Sequence, residues 1–146
     1  MAQAENAKKL DYTPVTYDDQ YILMVNQLKK YFPIKAGVDK KITVLEGDAL
    51  EILPTLKEPY DMIFIDASKG KYPRFLEHAI RLSKVGTIIL ADNILYKGYV
   101  MGEYNKHKQR TAVRNLREYI KLVTENPMLE TKILEVGDGL AVTKVK

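Results

Sequence analysis

Apolar residues recur at two spacings along the chain, one typical of helices and one typical of strands. Helical spacing relates Ile22, Val25, Leu28 and Phe32, and it returns over residues 110–124. Short apolar runs rich in β-branched residues predict strands over residues 42–45, 61–65, 86–90, 129–136 and 140–145. Shorter helices are predicted over residues 2–10, 48–53 and 72–83. The chain is therefore expected to contain both helices and strands.

The order of these elements predicts the fold class. Strands and helices alternate before a terminal pair of strands, which is typical of an α/β sandwich with a mainly parallel sheet. The turn Gly137-Asp-Gly139 favours an antiparallel hairpin at the end of the chain. We predict one domain over residues 1–146, with an N-terminal helical segment over 1–34 and an α/β core over 41–146. The sheet should have about five strands, and the run 61–65 should be covered on both faces.

Composition narrows the possible classes of protein. With 146 residues, of which 46% are hydrophobic, the chain suits a single globular domain. It contains no cysteine, which excludes disulfides and thiolate metal sites. Residues 1–9 are polar, and no apolar run approaches the roughly 20 residues of a membrane-spanning helix. We therefore expect a soluble cytoplasmic protein that does not bind membranes.

Acidic residues follow two of the predicted parallel strands. Asp66 comes after the run 61–65, and Asp92 and Asn93 come after the run 86–90. Ligands of such sheets lie at the carboxyl ends of the strands, so these side chains should share one crevice. Two carboxylates and an amide oxygen form the all-oxygen set that Mg²⁺ prefers. Lys69 comes three residues after Asp66 and could act there as a base.

A purely structural explanation of the same residues remains open. Aspartate after a strand often caps a helix, and Asp-Asn pairs are common in turns. Residues 96–104, with Gly98 and Gly102, predict a mobile loop beside Asn93. That loop either covers a substrate or simply connects two elements.

Basic residues form a second candidate site. The net charge is +4, and four basic residues repeat at helical spacing on one face of the predicted helix 110–124. They are Arg110, Arg114, Arg117 and Lys121. Such a stripe can follow the phosphates of RNA. It can equally be the solvated face of an amphipathic helix.

Four motifs together resemble a known enzyme family. They are Glu46-Gly-Asp-Ala-Leu50, Tyr60-Asp-Met-Ile-Phe-Ile-Asp-Ala-Ser-Lys-Gly-Lys-Tyr72, Ile89-Leu-Ala-Asp-Asn-Ile-Leu95 and Val136-Gly-Asp-Gly-Leu140. In this order they resemble the metal-dependent class I S-adenosylmethionine O-methyltransferases, which include catechol and caffeoyl-CoA methyltransferases. Within that family, the chain is most similar to bacterial enzymes that methylate 5-hydroxyuridine in tRNA. The resemblance implies a Rossmann-like methyltransferase sandwich.

The resemblance also implies roles for individual residues. Asp66, Asp92 and Asn93 would hold Mg²⁺ or a similar divalent cation, which would lower the pKa of a substrate hydroxyl. Lys69 would take the proton or steady the oxyanion. Asp48, Ala49 and Asp66 would contact S-adenosylmethionine. The basic helix would then contact tRNA.

One expected feature of that family is absent from the sequence. The fold uses a glycine-rich turn after its first strand, where backbone approaches the cofactor closely. The only Gly-x-Gly sequence here is in the predicted hairpin, at Gly137 and Gly139. A βαβ unit needs roughly 30 residues, so the missing block cannot fit between Phe32 and Lys35. The chain thus resembles a family member with an internal deletion.

This shortening has two expected consequences. The strand 42–45 should pair with the strand 61–65, or the free edge should pair with a second copy and give a homodimer. S-adenosylmethionine should bind weakly or not at all, which leaves activity open. The first hypothesis is methylation of hydroxyuridine in tRNA. The alternatives are methylation of a catechol-like small molecule, and a non-catalytic remnant or RNA-binding module of the fold.

Overall fold

A computed structural model describes Thr43, Leu45, residues 47–102 and residues 109–146. The predicted helices within residues 1–34, and half of the predicted strand 42–45, lie outside these ranges. All the elements below belong to the compact unit Ala49–Lys146. The predicted division of the chain into an N-terminal segment and a core stays a prediction.

This unit contains three α-helices and four strands among its described residues. The helices are α1 (Ala49–Ile52), α2 (Tyr72–Arg81) and α3 (Arg110–Glu125). The strands are β1 (Tyr60–Ile65), β2 (Ser83–Asp92), β3 (Leu129–Leu134) and β4 (Leu140–Val145). Two 3₁₀ turns, Leu53–Thr55 and Lys69–Lys71, follow α1 and precede α2. The predicted α/β class is confirmed.

The four strands form one mixed sheet in the order β1-β2-β4-β3. β1 pairs with β2 in parallel, and the hairpin strands β3 and β4 pair antiparallel, as predicted. β4 also pairs antiparallel with β2. Among the described residues, one of the three strand pairings is parallel and two are antiparallel. The fifth predicted strand would be the run 42–45, of which only Thr43 and Leu45 are described, so it stays a prediction.

The core lies on one face of this sheet, under α2 and α3. Alternate strand residues point into it, including the fully buried Ile89, Ala91 and Ala141. The helices contribute their apolar stripes; the buried members are Tyr72, Phe75, Leu76 and Ala79 from α2 and Val113, Leu116, Tyr119 and Val123 from α3. Burial of these stripes is the main favourable contribution to folding.

Within the described ranges, the opposite face of β1 is open, so the predicted cover on both faces is not observed there. Met62 is 62% exposed and Phe64 is 56% exposed, whereas the alternate residue Ile65 is buried. Within the described residues, β1 pairs on one edge only, with β2. Pairing of its other edge with the run 42–45 or with a second copy stays a prediction.

Several predicted boundaries differ from those in the structure; the strand predicted over 129–136, for example, ends at Leu134. The predicted helix 72–83 ends at Arg81, and Ser83 already belongs to β2. β2 starts before the predicted run because Gly86, at φ 91°, lets an irregular stretch join the strand. There the Thr87 hydroxyl donates to the Tyr60 carbonyl at 2.5 Å. None of the described helices combines the length and apolar character needed to cross a bilayer.

Candidate metal and catalytic site

Strand register brings the two predicted acidic ligands together. Ile65 of β1 lies opposite Ala91 of β2 in the parallel ladder. Asp66 and Asp92 are the residues that directly follow this pair. Both therefore lie at the carboxyl ends of the two parallel strands. Neighbouring strands lie roughly 4.8 Å apart. At that spacing, one ion can contact a carboxylate from each strand. Asp66 is exposed and Asp92 is half-buried.

Asn93 is held against Asp92 by a local turn of the backbone. Its φ is 57°, in the left-handed region that asparagine tolerates better than most residues. Its backbone N–H donates to Oδ1 of Asp92 at 2.7 Å. This turn bends the chain sharply after β2, and it places the Asn93 amide beside the strand-end carboxylates.

Lys69 reaches the same edge from the loop after β1. Its ammonium donates to Oδ1 of Asn93 at 3.1 Å. Two hydrogen bonds hold the 3₁₀ turn that carries this lysine. The Lys71 N–H donates to the Ser68 carbonyl at 2.9 Å, and the Asn115 side chain of α3 donates to the Gly70 carbonyl at 2.6 Å. The predicted convergence of Lys69 with Asn93 is therefore observed.

The Tyr72 hydroxyl contacts the ends of both strands, a role that the sequence did not reveal. Its hydroxyl donates to the Asp92 carbonyl at 2.7 Å and lies 3.4 Å from the Ile65 carbonyl. The side chain is fully buried, and its ring lies 5.9 Å from the Lys69 ammonium, within the range of a cation–π contact. Its place at the first position of α2, directly after the motif containing Lys69, was the available signal.

The charge of the site affects Tyr72 directly. Burial raises the pKa of its phenol well above the ordinary value, and the nearby Asp66 carboxylate raises it further. Both effects oppose ionisation, because a phenolate would be poorly solvated and would lie close to a negative charge. Tyr72 is thus a neutral hydrogen-bond donor at physiological pH.

The donor set fits a hard divalent cation. Asp66 and Asp92 supply carboxylate oxygens and Asn93 supplies an amide oxygen, which is the oxygen chemistry that Mg²⁺ and Mn²⁺ accept. The Lys69 ammonium already contacts the amide oxygen, so that oxygen faces a cation. The described residues contain no cluster of three or more His, Cys, Asp or Glu side chains, so the site depends on the Asn93 amide as its third ligand.

The segment after Asn93 is fastened to α3 through Arg117. Its guanidinium donates to the Val100 carbonyl at 3.0 Å and to the carbonyls of Tyr99 and Gly102. Val100 is itself buried. As far as Gly102, the predicted mobile loop is therefore tied to the helix by several hydrogen bonds.

The basic face of α3 consequently divides into two parts. Arg117 directs its N–H groups to the three loop carbonyls, whereas Arg110, Arg114 and Lys121 are exposed to solvent. An open groove of about 430 Å³ runs along this face. RNA contacts by these residues stay a prediction.

A second groove, of about 400 Å³, follows the open edge of β1. Apolar side chains such as Met62, Phe64 and Phe75 form most of its lining, and Ala49, Asp66 and Ala67 complete it. Ala49 and Asp66, two predicted cofactor contacts, therefore line one groove. Asp48 belongs to the preceding unit, and its cofactor contact stays a prediction.

Known proteins match most of the chain. A family model described as O-methyltransferase matches residues 17–146. A catechol O-methyltransferase of Niastella koreensis is 37% identical over 121 residues, covering 77% of this chain and 53% of that protein. A caffeoyl-CoA O-methyltransferase of Citrus natsudaidai is 34% identical over 143 residues, covering 87% of this chain and 61% of that protein.

The fold matches solved structures of the same kind. The O-methyltransferase of Bacillus cereus, solved in complex with SAH, superposes with a TM-score of 0.74 at 27% identity, covering 90% of this chain and 60% of that one. This chain spans between half and two thirds of the length of these relatives. Sequence, fold and the strand-end residues agree that the chain belongs to the O-methyltransferase family.

Proposed function

We propose that this chain carries the hydroxyl-activating site of a divalent-metal- and S-adenosylmethionine-dependent O-methyltransferase. One observation supports this most strongly. Asp66 and Lys69 follow β1, Asp92 ends β2 and Asn93 follows it, and all four lie at the carboxyl ends of these two strands. A cation held by these ligands lowers the pKa of a hydroxyl, and a neighbouring amine can accept the proton. The arrangement therefore suits deprotonation of a hydroxyl.

Each residue has a distinct task in this proposal. Asp66, Asp92 and Asn93 hold the cation, which when bound supplies the positive charge that lowers the pKa of a substrate hydroxyl. The Lys69 amine takes the hydroxyl proton or, as the ammonium, stabilises the resulting oxyanion. Tyr72 keeps the two strand ends in register through the Asp92 carbonyl.

The groove beside β1 fits part of a nucleoside cofactor. Its apolar walls suit a base, and the Asp66 carboxylate at its end is an acceptor for an N–H or O–H group. A glycine-rich turn for the remainder of the cofactor is not present among the described residues. We therefore propose weak binding of S-adenosylmethionine, and activity should be measured at a saturating cofactor concentration.

The proposed substrate is a small molecule with a catechol-like hydroxyl. The support comes from the similar proteins, which are catechol and caffeoyl-CoA O-methyltransferases. The chemistry is consistent with this, because adjacent hydroxyls offer two oxygens to one cation. The exposed Asp66 leaves the site open to a ligand from solvent.

Transfer of a labelled methyl group tests the proposed function. The chain is incubated with methyl-labelled S-adenosylmethionine, Mg²⁺ and a catechol, and the product is counted. We expect transfer by the unmodified chain, loss in Asp92→Asn, and little change in Asp61→Asn. Asp61 is a suitable control because it lies at the other end of β1 and pairs with Lys84 at 2.6 Å. Metal binding without any transfer would instead identify a non-catalytic remnant.

A hydroxyuridine in tRNA is the second candidate substrate. The exposed basic residues of α3 favour it, because Arg110, Arg114 and Lys121 line one groove with a single acidic residue, Glu118, and can follow a phosphate backbone. Binding of tRNA should then weaken steeply with salt and with removal of Arg110, Arg114 and Lys121. Removing the three exposed lysines Lys132, Lys144 and Lys146 is the charge-matched control. Equal losses in both variants would argue against this substrate.

A further inference from the structure

The turn between β3 and β4 contacts the chain that follows Asn93. The Ile94 N–H donates to the Gly139 carbonyl at 3.1 Å, and the Leu95 N–H donates to the Asp138 carbonyl at 3.0 Å. The Lys97 N–H donates to the Asp138 carboxylate. Three backbone donors directly after the site are thus satisfied by two residues of one hairpin turn.

Gly139 allows this close approach because it has no side chain. A Cβ at this position would lie 2.9 Å from Cβ of Leu95, and nearer still to Cγ of the same residue. Gly137, in the same turn, faces no atom within 4 Å. Both glycines have positive φ, 87° for Gly139 and 57° for Gly137. Only Gly139, therefore, combines a left-handed backbone with contact to the segment after Asn93.

That segment has an unfavourable backbone conformation. Asn93, Tyr96 and Lys97 have φ of 57°, 47° and 56°, in the region that side chains disfavour. Such residues are strained, so the conformation persists only where surrounding contacts hold it. The hydrogen bonds that Gly139 and Asp138 accept start at Ile94, the residue directly after the site residue Asn93.

We propose that Asp138 and Gly139 are positioning residues for the cation site, because they fix residues 94–97 and so set the direction of the Asn93 amide. This rests on the proposed function only in assigning a cation to Asn93. The hairpin turn therefore has two tasks: it connects β3 to β4, and it holds the ligand loop of β2. Supporting residues of this kind commonly change metal affinity by about 10–100-fold.

Two single substitutions in the turn provide a matched comparison. Gly139→Ala and Gly137→Ala each place a Cβ on a residue with positive φ, but only the first displaces Leu95. Mn²⁺ binding is measured by isothermal titration without cofactor. We expect Gly139→Ala to weaken Mn²⁺ binding about tenfold or more, and Gly137→Ala to change it less than about twofold. Adding Leu95→Ala to Gly139→Ala should recover part of the lost affinity, since the colliding Cγ is removed.

Amide hydrogen exchange separates this inference from the metal assignment. The amides of Ile94, Leu95 and Lys97 should be protected in the unmodified chain and in Gly137→Ala without any metal, and should exchange faster in Gly139→Ala. Asp138→Ala should expose the Lys97 amide while leaving Ile94 protected. If the unmodified chain bound no Mn²⁺, the proposed function would fail, and exchange alone would decide the positioning role.

Two results would overturn the inference. The first is unchanged protection of Ile94 and Leu95 in folded Gly139→Ala. The second is an equal loss of Mn²⁺ affinity in Gly137→Ala and Gly139→Ala, which would indicate general strain in the hairpin. Should Gly139→Ala fail to fold, the Asp138→Ala exchange pattern still decides, because it removes one acceptor without adding bulk.

Discussion

The ammonium of Lys69 lies 3.1 Å from Oδ1 of Asn93, although 24 positions separate the two residues in the chain. The contact joins the loop after β1 to the loop after β2 across the edge where Asp66 and Asp92 emerge. It also shows that the amide oxygen of Asn93 points towards positive charge.

Replacement of Lys69 separates proton transfer from metal binding. Lys69→Met keeps much of the side-chain volume but removes the amine. We expect methyl transfer to fall by about 100-fold or more, which is typical of losing a general base, while Mn²⁺ affinity stays the same or rises. Lys132→Met, on the exposed part of β3, should change neither quantity. Loss of Mn²⁺ affinity in Lys69→Met would instead assign the lysine a role in holding the site together.

The alternation of elements and the residues at strand ends could be predicted from sequence, because both follow from local patterns. β4 has its predicted bounds, and Asp66, Asp92 and Lys69 lie at one edge as expected. The role of Tyr72 could not be predicted, since it depends on which carbonyls lie above α2 in the packed structure. The second role of Gly139 was missed for a similar reason: Leu95 approaches it from a loop 44 positions earlier.

Loss of the hydroxyl should change the free energy of unfolding differently at two buried tyrosines. The Tyr72 hydroxyl donates to the Asp92 carbonyl, whereas the buried Tyr119 hydroxyl has no hydrogen-bond partner within the described part of the chain. We expect Tyr72→Phe to lower the free energy of unfolding by about 1–2 kcal/mol and Tyr119→Phe to leave it unchanged or raise it slightly. Urea denaturation of both variants measures this. Equal destabilisation would contradict the assigned hydrogen bonds.

Alkaline pH should destabilise the fold through Tyr119. Burial raises the pKa of its phenol well above the ordinary value near 10. A group whose pKa is raised by folding contributes its full stability below the unfolded pKa, and that contribution is lost as pH rises further. The free energy of unfolding should therefore fall above about pH 10. Tyr119→Phe should reduce that fall, whereas a pH dependence identical to the unmodified chain would contradict the assignment.

Removal of Arg117 should loosen the loop beside the site. Its guanidinium holds the carbonyls of Tyr99, Val100 and Gly102 against α3. Arg117→Ala should speed proteolytic cleavage in residues 95–102 and lower the free energy of unfolding by about 1–3 kcal/mol. Arg114→Ala, one turn earlier on the exposed face, should do neither. Cleavage at the same rate in both variants would show that the loop is held by other contacts.

Divalent-cation binding by the strand-end residues is tested most directly by titration with Mn²⁺ in the absence of cofactor. One ion should bind per chain, and both Asp66→Asn and Asp92→Asn should weaken its affinity at least about tenfold. Asp61→Asn, which removes the same charge from the other end of β1, should leave the affinity unchanged. Absence of binding to the unmodified chain, or equal affinity in all three variants, would contradict a shared cation at Asp66, Asp92 and Asn93.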